Sequence, residues 1–129
     1  MNKLTPVLPV HEIEPSLPFW IDRLGFLLVA QVPHEGRLGF VILTKGPVEV
    51  MLQTTDSIAA DVPALAGPPS PAHLFIEVED LDAIERAVAG IELVVPRRQT
   101  FYGMDELGVR EPGGHRVRVW RYPTDPIVE

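Results

Sequence analysis

The chain contains no cysteine in 129 residues. That excludes disulfides, thiolate zinc sites, iron–sulfur clusters and a cysteine nucleophile. Basic residues are also few: 11 Lys plus Arg stand against 18 Asp plus Glu, a formal charge of −7. A general nucleic-acid binder carries a basic stripe, so nucleic-acid partners are not expected. No apolar run approaches the roughly 20 residues needed to span a bilayer, so no membrane partner is expected either. Residues 1–10 hold one Lys and two prolines and lack the apolar core of a signal peptide, which predicts a cytoplasmic location. At 46% hydrophobic the chain is not a disordered one, and its length suits a single domain with a real core.

Proline is what the sequence has in excess. Its 14 prolines are about twice the usual share, and their positions punctuate the pattern. Leu4 to Val10 reads as a strand, placed at an edge because Pro6 and Pro9 lack the ladder N–H. Glu12 to Leu24 carries apolar residues at Ile13, Leu17, Trp20, Ile21 and Leu24, which predicts a helix stopped by Gly25. Strands follow at Phe26 to Val32, Leu38 to Thr44 and Val48 to Thr54. Asp56 to Ser70 holds Pro63, Gly67, Pro68 and Pro69 and reads as a linker with a short helical turn over 57–65. The pattern then restarts: strand 72–77, helix 81–89, and strands at 91–95, 105–111 and 116–121. Pro112-Gly113-Gly114 is a tight turn.

Each half therefore reads strand, helix, three strands. Pro6 to Val10 followed by Glu12-Ile13-Glu14 aligns with Leu74 to Val78 followed by Asp80-Leu81-Asp82, at an offset of 68 residues. A repeat of this kind governs the whole fold assignment. The expected architecture is α+β: two βαβββ modules, at about 4–55 and 72–122 with a linker at 56–71, forming a curved mixed sheet around a cleft, with helices on the outer face.

The phrase FWIDRLGF at Phe19 to Phe26, the opening Leu4 to Val10, the stretch Ala72 to Leu81, the pair Tyr102-Gly103 and the EPGGH at Glu111 to His115 resemble the vicinal oxygen chelate superfamily. This is the group of glyoxalases, bleomycin resistance proteins and extradiol dioxygenases, and FWIDRLGF is closest to the bleomycin resistance branch. The resemblance covers about residues 4 to 122. It implies a homodimer, and in the enzymes a divalent metal held from four strands. Those slots fall by resemblance at Thr5, Met51 (or Glu49 in a shifted register), His73 and Arg118. Thr5 is a weak ligand, Met51 is soft, and Arg118 repels a cation. No metal and no cofactor are therefore expected. The bleomycin resistance proteins are metal-free binders, so the resemblance implies a non-catalytic protein that sequesters a small organic, antibiotic-like molecule in the cleft. The alternative is a metal-dependent glyoxalase- or dioxygenase-like lyase or oxygenase. Acid–base catalysis by Glu49 or His73 without a metal is a third reading.

Strand alternation nominates the cleft lining. Val117 and Val119 face the helices, leaving Arg116, Arg118 and Trp120 toward the cleft; Val48, Val50 and Leu52 do the same for Glu49, Met51 and Gln53. The candidate ligand-binding set is Phe40, Glu49, Met51, Gln53, His73, Phe75, Tyr102, Arg118 and Trp120. Arg118 serves either an anionic ligand group or an ion pair with Glu49. His73 serves as a ligand, a pocket base or a hydrogen-bonded histidine. Arg116 and Arg121 read as solvated, His11, His34 and His115 as turn or strand-end residues, and Phe19 and Trp20 as core. Asp80 and Asp82, with Glu77 and Glu79, complement the start of the second helix.

Overall fold

The computed structural model describes residues 1–123. The chain divides into two compact units, residues 1–72 and residues 73 onward, with the 112–114 turn grouped with the first. Each unit is an open four-stranded mixed sheet backed by a short helical segment, the α+β repeat expected from the sequence.

In the first module β1 (Val7–Val10), β2 (Leu27–His34), β3 (Arg37–Lys45) and β4 (Val48–Thr54) pair in the order β1-β4-β3-β2. β1 runs parallel to β4, with Val7 opposite Met51 and Pro9 opposite Gln53. It is an edge strand, where a residue without a ladder N–H is tolerated. The β2–β3 hairpin turns at Glu35-Gly36, both with positive φ (51° and 82°). That is the backbone a two-residue hairpin matched to strand twist requires. The core lies on one face only: Leu8, Val41, Leu43, Val50 and Leu52 are buried against Ile13, Phe19, Trp20 and Phe26. Trp20 meets both phenylalanines edge to face, at 5.3 and 5.1 Å.

The 12–24 segment is helical but not an α-helix, and here the expectation is corrected. It forms a 3₁₀ turn (Glu14–Ser16) and then a π turn (Pro18–Arg23). Pro15 and Pro18 lack the N–H of a regular i→i−4 ladder, so each opens a short helical piece instead. The second piece closes with Leu24 N–H donating to Phe19 O at 3.1 Å and Phe26 N–H to Trp20 O at 2.9 Å, with Gly25 at φ 80°. The glycine stop is thus observed.

In the second module β5 (His73–Glu77), β6 (Leu93–Gln99), β7 (Asp105–Arg110) and β8 (Arg116–Arg121) pair in the order β5-β8-β7-β6. α2 (Leu81–Ala87) is capped by Asp80, whose carboxylate accepts from Ala83 N–H at 3.0 Å. Leu81, Val88, Leu107, Val109, Val117 and Val119 form the core. β6 runs through Pro96, beyond its expected end at 95; as an edge strand with a shifted register between Val95 and Arg98 it tolerates the missing donor.

The linker folds more than expected. α1 (Thr55–Asp61) is capped by the Thr54 hydroxyl, which accepts from Ser57 N–H at 3.1 Å, and a 3₁₀ turn (Pro63–Leu65) follows. α1 lies in the segment read as the linker, and its residues share pockets with the sheet face opposite the core. Among the described residues no helix is long and apolar enough to cross a membrane.

Candidate functional site

In each module the core occupies one sheet face, and the other face is open. In the first module the open-face positions are Val7 and Pro9 on β1, Glu49, Met51 and Gln53 on β4, and Phe40 on β3. Phe40 pairs directly with Gln53. Together with Val32, His34, Ser57, Ala60 and Asp61 they line a pocket of about 490 Å³. A neighbouring pocket of about 380 Å³ is lined by Val7, Pro9, Gln53, Ile58, Asp61, Val62 and Leu65. Gln53 borders both, and its Nε2 donates to Ser57 Oγ at 3.1 Å, so α1 fixes its side chain. Met51 lies on the same face between Val7 and Ile42. Glu49 stands one step further from these pockets. Lys3 Nζ and Thr5 Oγ1 each lie 3.0 Å from its carboxylate. The Lys3 hydrogen bond, then that of Thr5, holds its pKa below the ordinary carboxylate range.

The open face of the second module is built differently. Phe75 on β5 pairs with Arg118 on β8. The Phe75 and Trp120 rings stack at 5.3 Å and 15°, the Arg118 guanidinium carbon lies 4.9 Å from the centre of the Phe75 ring, and Tyr122 meets Trp120 edge-on at 5.2 Å. Phe75 keeps 49% of its surface exposed, which is high for a phenylalanine with a structural role alone. Beside this ladder Glu106 on β7 is fully buried and held by two arginines. Arg118 donates Nε to Oε2 at 3.1 Å and Nη2 to Oε2 at 2.9 Å, while Arg98 donates Nε to Oε1 at 2.8 Å. Gly108 makes room for this. A Cβ there would sit 3.0 Å from Val95 Cγ2 and 3.2 Å from Arg118 Cγ.

Several expectations are thereby resolved. Arg118 is paired with Glu106 and not with Glu49, which Lys3 and Thr5 satisfy instead. Arg121 is not solvated: its Nε lies 3.4 Å from Asp105 Oδ2 and its side chain is 12% exposed. His115 is buried in the Glu111–His115 turn, where its N–H donates to Glu111 Oε1 at 3.0 Å. Tyr102 lies in the β6–β7 turn against Phe101, at 4.8 Å, and not in the aromatic ladder. Tyr122, Glu106, Arg98, His34 and Asp61 were not nominated by the sequence. Parity on β7 and β8 carries a signal for Glu106, which pairs with Trp120 beside Arg118.

The metal slots can be tested against this geometry. Thr5 is hydrogen-bonded to Glu49, and Arg116 Nη1 lies 3.2 Å from His73 Nε2. The register thus makes Arg116, rather than Arg118, the counterpart of Glu49. A Lys3 ammonium meets the Glu49 carboxylate and a guanidinium meets the His73 imidazole, so two of the slots already have a cationic neighbour. Among the described residues no three His, Asp or Glu side chains gather into a metal-binding group. The donor set does not fit a divalent ion.

Residues 3–119 match the model of the glyoxalase/bleomycin resistance protein/dioxygenase superfamily. The chain belongs to this superfamily. Its fold is similar to that of TioX from Micromonospora sp. ML1 (TM-score 0.75, 22% identity, 95% of this chain and 100% of that one). It is also similar to a lactoylglutathione lyase from Agrobacterium tumefaciens (TM-score 0.75, 17% identity, 94% of each chain). A third likeness is to the bleomycin resistance determinant encoded on transposon Tn5 (TM-score 0.68, 19% identity, 95% and 98%). No curated protein matches the chain. Superfamily members at this distance share the fold while differing in function.

Proposed function

We propose that this superfamily member binds a small organic molecule on its open sheet faces without transforming it, acting as a sequestering protein like the bleomycin resistance branch. The observation that carries this reading is the aromatic ladder of Phe75, Trp120 and Tyr122, joined to Arg118 and left half open to solvent. Aromatic faces and edges with a few fixed polar groups suit an organic ligand with a planar portion. Within the first module, the pocket shared by Phe40 and Gln53 offers an apolar surface of its own with an amide for orientation.

Catalysis asks for more than this. A metal-dependent lyase or oxygenase needs an open coordination site, and the Glu49 and His73 positions are taken up by Lys3 and Arg116. A general base needs a free acceptor aimed at substrate; Glu49 Oε1 already accepts from Lys3 and Thr5, and His73 Nε2 faces Arg116. The reading includes a homodimer, which would cover open-face apolar residues such as Val7 (44% exposed) and Val32 (54%).

Isothermal titration of the purified protein with bleomycin-class and other aromatic antibiotics tests the proposal. The expected result is saturable binding with unchanged ligand recovered by mass spectrometry, weakened by Trp120→Ala. Conversion of the ligand, or no binding across the panel, overturns it.

A further inference from the structure

The protein is acidic overall, yet one of its faces is not. On the open face of the second module the strand registers bring together Arg98, Arg110, Arg116 and Arg118 against Glu77 and Glu106. Four arginines against two glutamates leave a formal surplus of two positive charges, in a chain whose total is −7. The remaining acids of this module's sheet and helix lie toward the opposite face, where Arg97 pairs with Asp82 and Glu85, and Arg121 with Asp105.

Charge segregation alone would not define a site, but the geometry does. Glu106, fully buried, spends both oxygens on Arg98 and Arg118 and so fixes two guanidiniums side by side. One carboxylate against two guanidiniums leaves a single positive charge unneutralised. Among the described residues neither Arg98 Nη1 nor Arg118 Nη1 has a hydrogen-bond partner. The Arg98 side chain is 55% exposed, so its free edge faces solvent. The Phe75–Trp120 stack lies against Arg118.

We infer that this face selects organic carboxylates with a planar aromatic body. The carboxylate bonds to the free guanidinium edges, and the aromatic body packs on the Phe75–Trp120 ladder. A planar, pre-positioned guanidinium pair suits a carboxylate far better than a flexible ammonium would. Glu106 orients the arginines and, being already saturated, cannot accept a cationic ligand. This deepens the binding function proposed above and rests on it: it states which charge class that function takes.

The test is calorimetric titration of the full-length protein with sodium 2-naphthoate and with its neutral isostere 2-naphthamide, in low salt. Naphthoate is expected to bind about tenfold more tightly than the amide, the difference one added charge-assisted hydrogen-bond pair makes. The preference should shrink in 0.5 M NaCl, where the Debye length falls to a few Å. Arg98→Gln, an exposed change that leaves the Arg118–Glu106 pair intact, should weaken naphthoate far more than the amide and so remove most of the preference. Glu106→Gln frees guanidinium donors and should tighten naphthoate binding several-fold; a structural triad with no ligand role predicts no such gain. Equal affinity for the two probes, or an unchanged preference in Arg98→Gln, overturns the carboxylate assignment and leaves small-molecule binding standing. Failure of both probes and of the antibiotic panel overturns both.

Discussion

His73 Nε2 lies 3.2 Å from Arg116 Nη1. A guanidinium can only donate, so the imidazole nitrogen facing it accepts and is spoken for. In the matching pair of the first module, Thr5 donates to Glu49 Oε1, and Lys3 adds its charge at the same oxygen. In each module a basic side chain of the protein thus contacts one of the ligand slots named by resemblance. The expected outcome is metal-poor protein. After incubation with nickel or zinc and desalting, mass-spectrometric metal analysis should find far less than one ion per chain, and His73→Ala should not change the figure. Stoichiometric metal that disappears in His73→Ala would sink this view of the site.

Gly108 is where backbone and function meet. Its missing side chain lets the Arg118 stem lie across β7, since a Cβ would come within 3.0 Å of Val95 and 3.2 Å of Arg118. Gly108→Ala forces those neighbours to move by a few tenths of an ångström. Overpacking of this kind costs about 1–2 kcal/mol, offset in part by the roughly 0.5–1 kcal/mol that alanine gains over glycine in a strand. Thermal denaturation should therefore show a drop of only about 3 °C. Naphthoate affinity should fall by a larger factor, because Arg118 is pushed off its position. A variant with unchanged naphthoate affinity would show that Arg118 placement does not matter to the ligand.

Much of this organisation was legible beforehand. In β4 and β8 strict alternation put Val50, Leu52, Val117 and Val119 on one face and the polar or aromatic residues on the other, and burial follows that division. The repeat carried the division into two four-stranded modules, because each copy must bury one sheet face. What was not legible depends on contacts between strands. Glu106 is an ordinary acidic residue in sequence; only the β6–β7–β8 registers bring Arg98 and Arg118 to it. For Arg118 the alternation left two roles open, a ligand contact or a pair with Glu49; the acid it meets is Glu106 of the same sheet. The 3₁₀ and π turns of residues 14–23 were hidden by helical spacing of apolar residues, which reports which side faces the core and not how the backbone bonds are closed. The aromatic ladder was half visible: Phe75 and Trp120 fell on the open side by parity, whereas Tyr122 lay just past the expected strand end.

Acid should weaken the second module through Asp82. The hydrogen bond from Arg97, reinforced by its charge, holds the Asp82 carboxyl below its ordinary value of 3.8. A carboxyl depressed in the folded state adds stability at pH above its unfolded value, and that stability disappears as pH falls through the folded one. Arg97→Met abolishes the depression. The melting temperature of the variant should thus lie below that of the parent from about pH 5 upward, and the gap should close toward pH 2. Because both groups are largely at the surface, the gap should also narrow in high salt. Lys3→Ala is expected to act in the same direction through Glu49, whose pKa is lowered by Lys3 and then Thr5. A gap independent of pH would mean that the lost packing of the arginine stem, not its charge, sets the effect.

The Arg118–Glu106 pair should show strong non-additivity. Glu106 is completely buried, and Arg118 supplies most of its donors. Arg118→Met leaves the carboxylate with Arg98 alone, whose side chain is 55% exposed. Breaking a fully buried pair costs about 3–5 kcal/mol, and the remaining arginine should limit the loss here to roughly 1–3 kcal/mol. Glu106→Gln removes the charge that needs compensation and keeps the shape, so alone it should cost less. In the double variant the buried charge and its main partner leave together. Its loss of stability should fall short of the sum of the single losses by about 1 kcal/mol or more, the coupling expected of residues in direct contact. Urea denaturation of the four proteins closes the cycle. Additive losses would mean that the two side chains stabilise the module independently, and that the arginines are not held in place by Glu106.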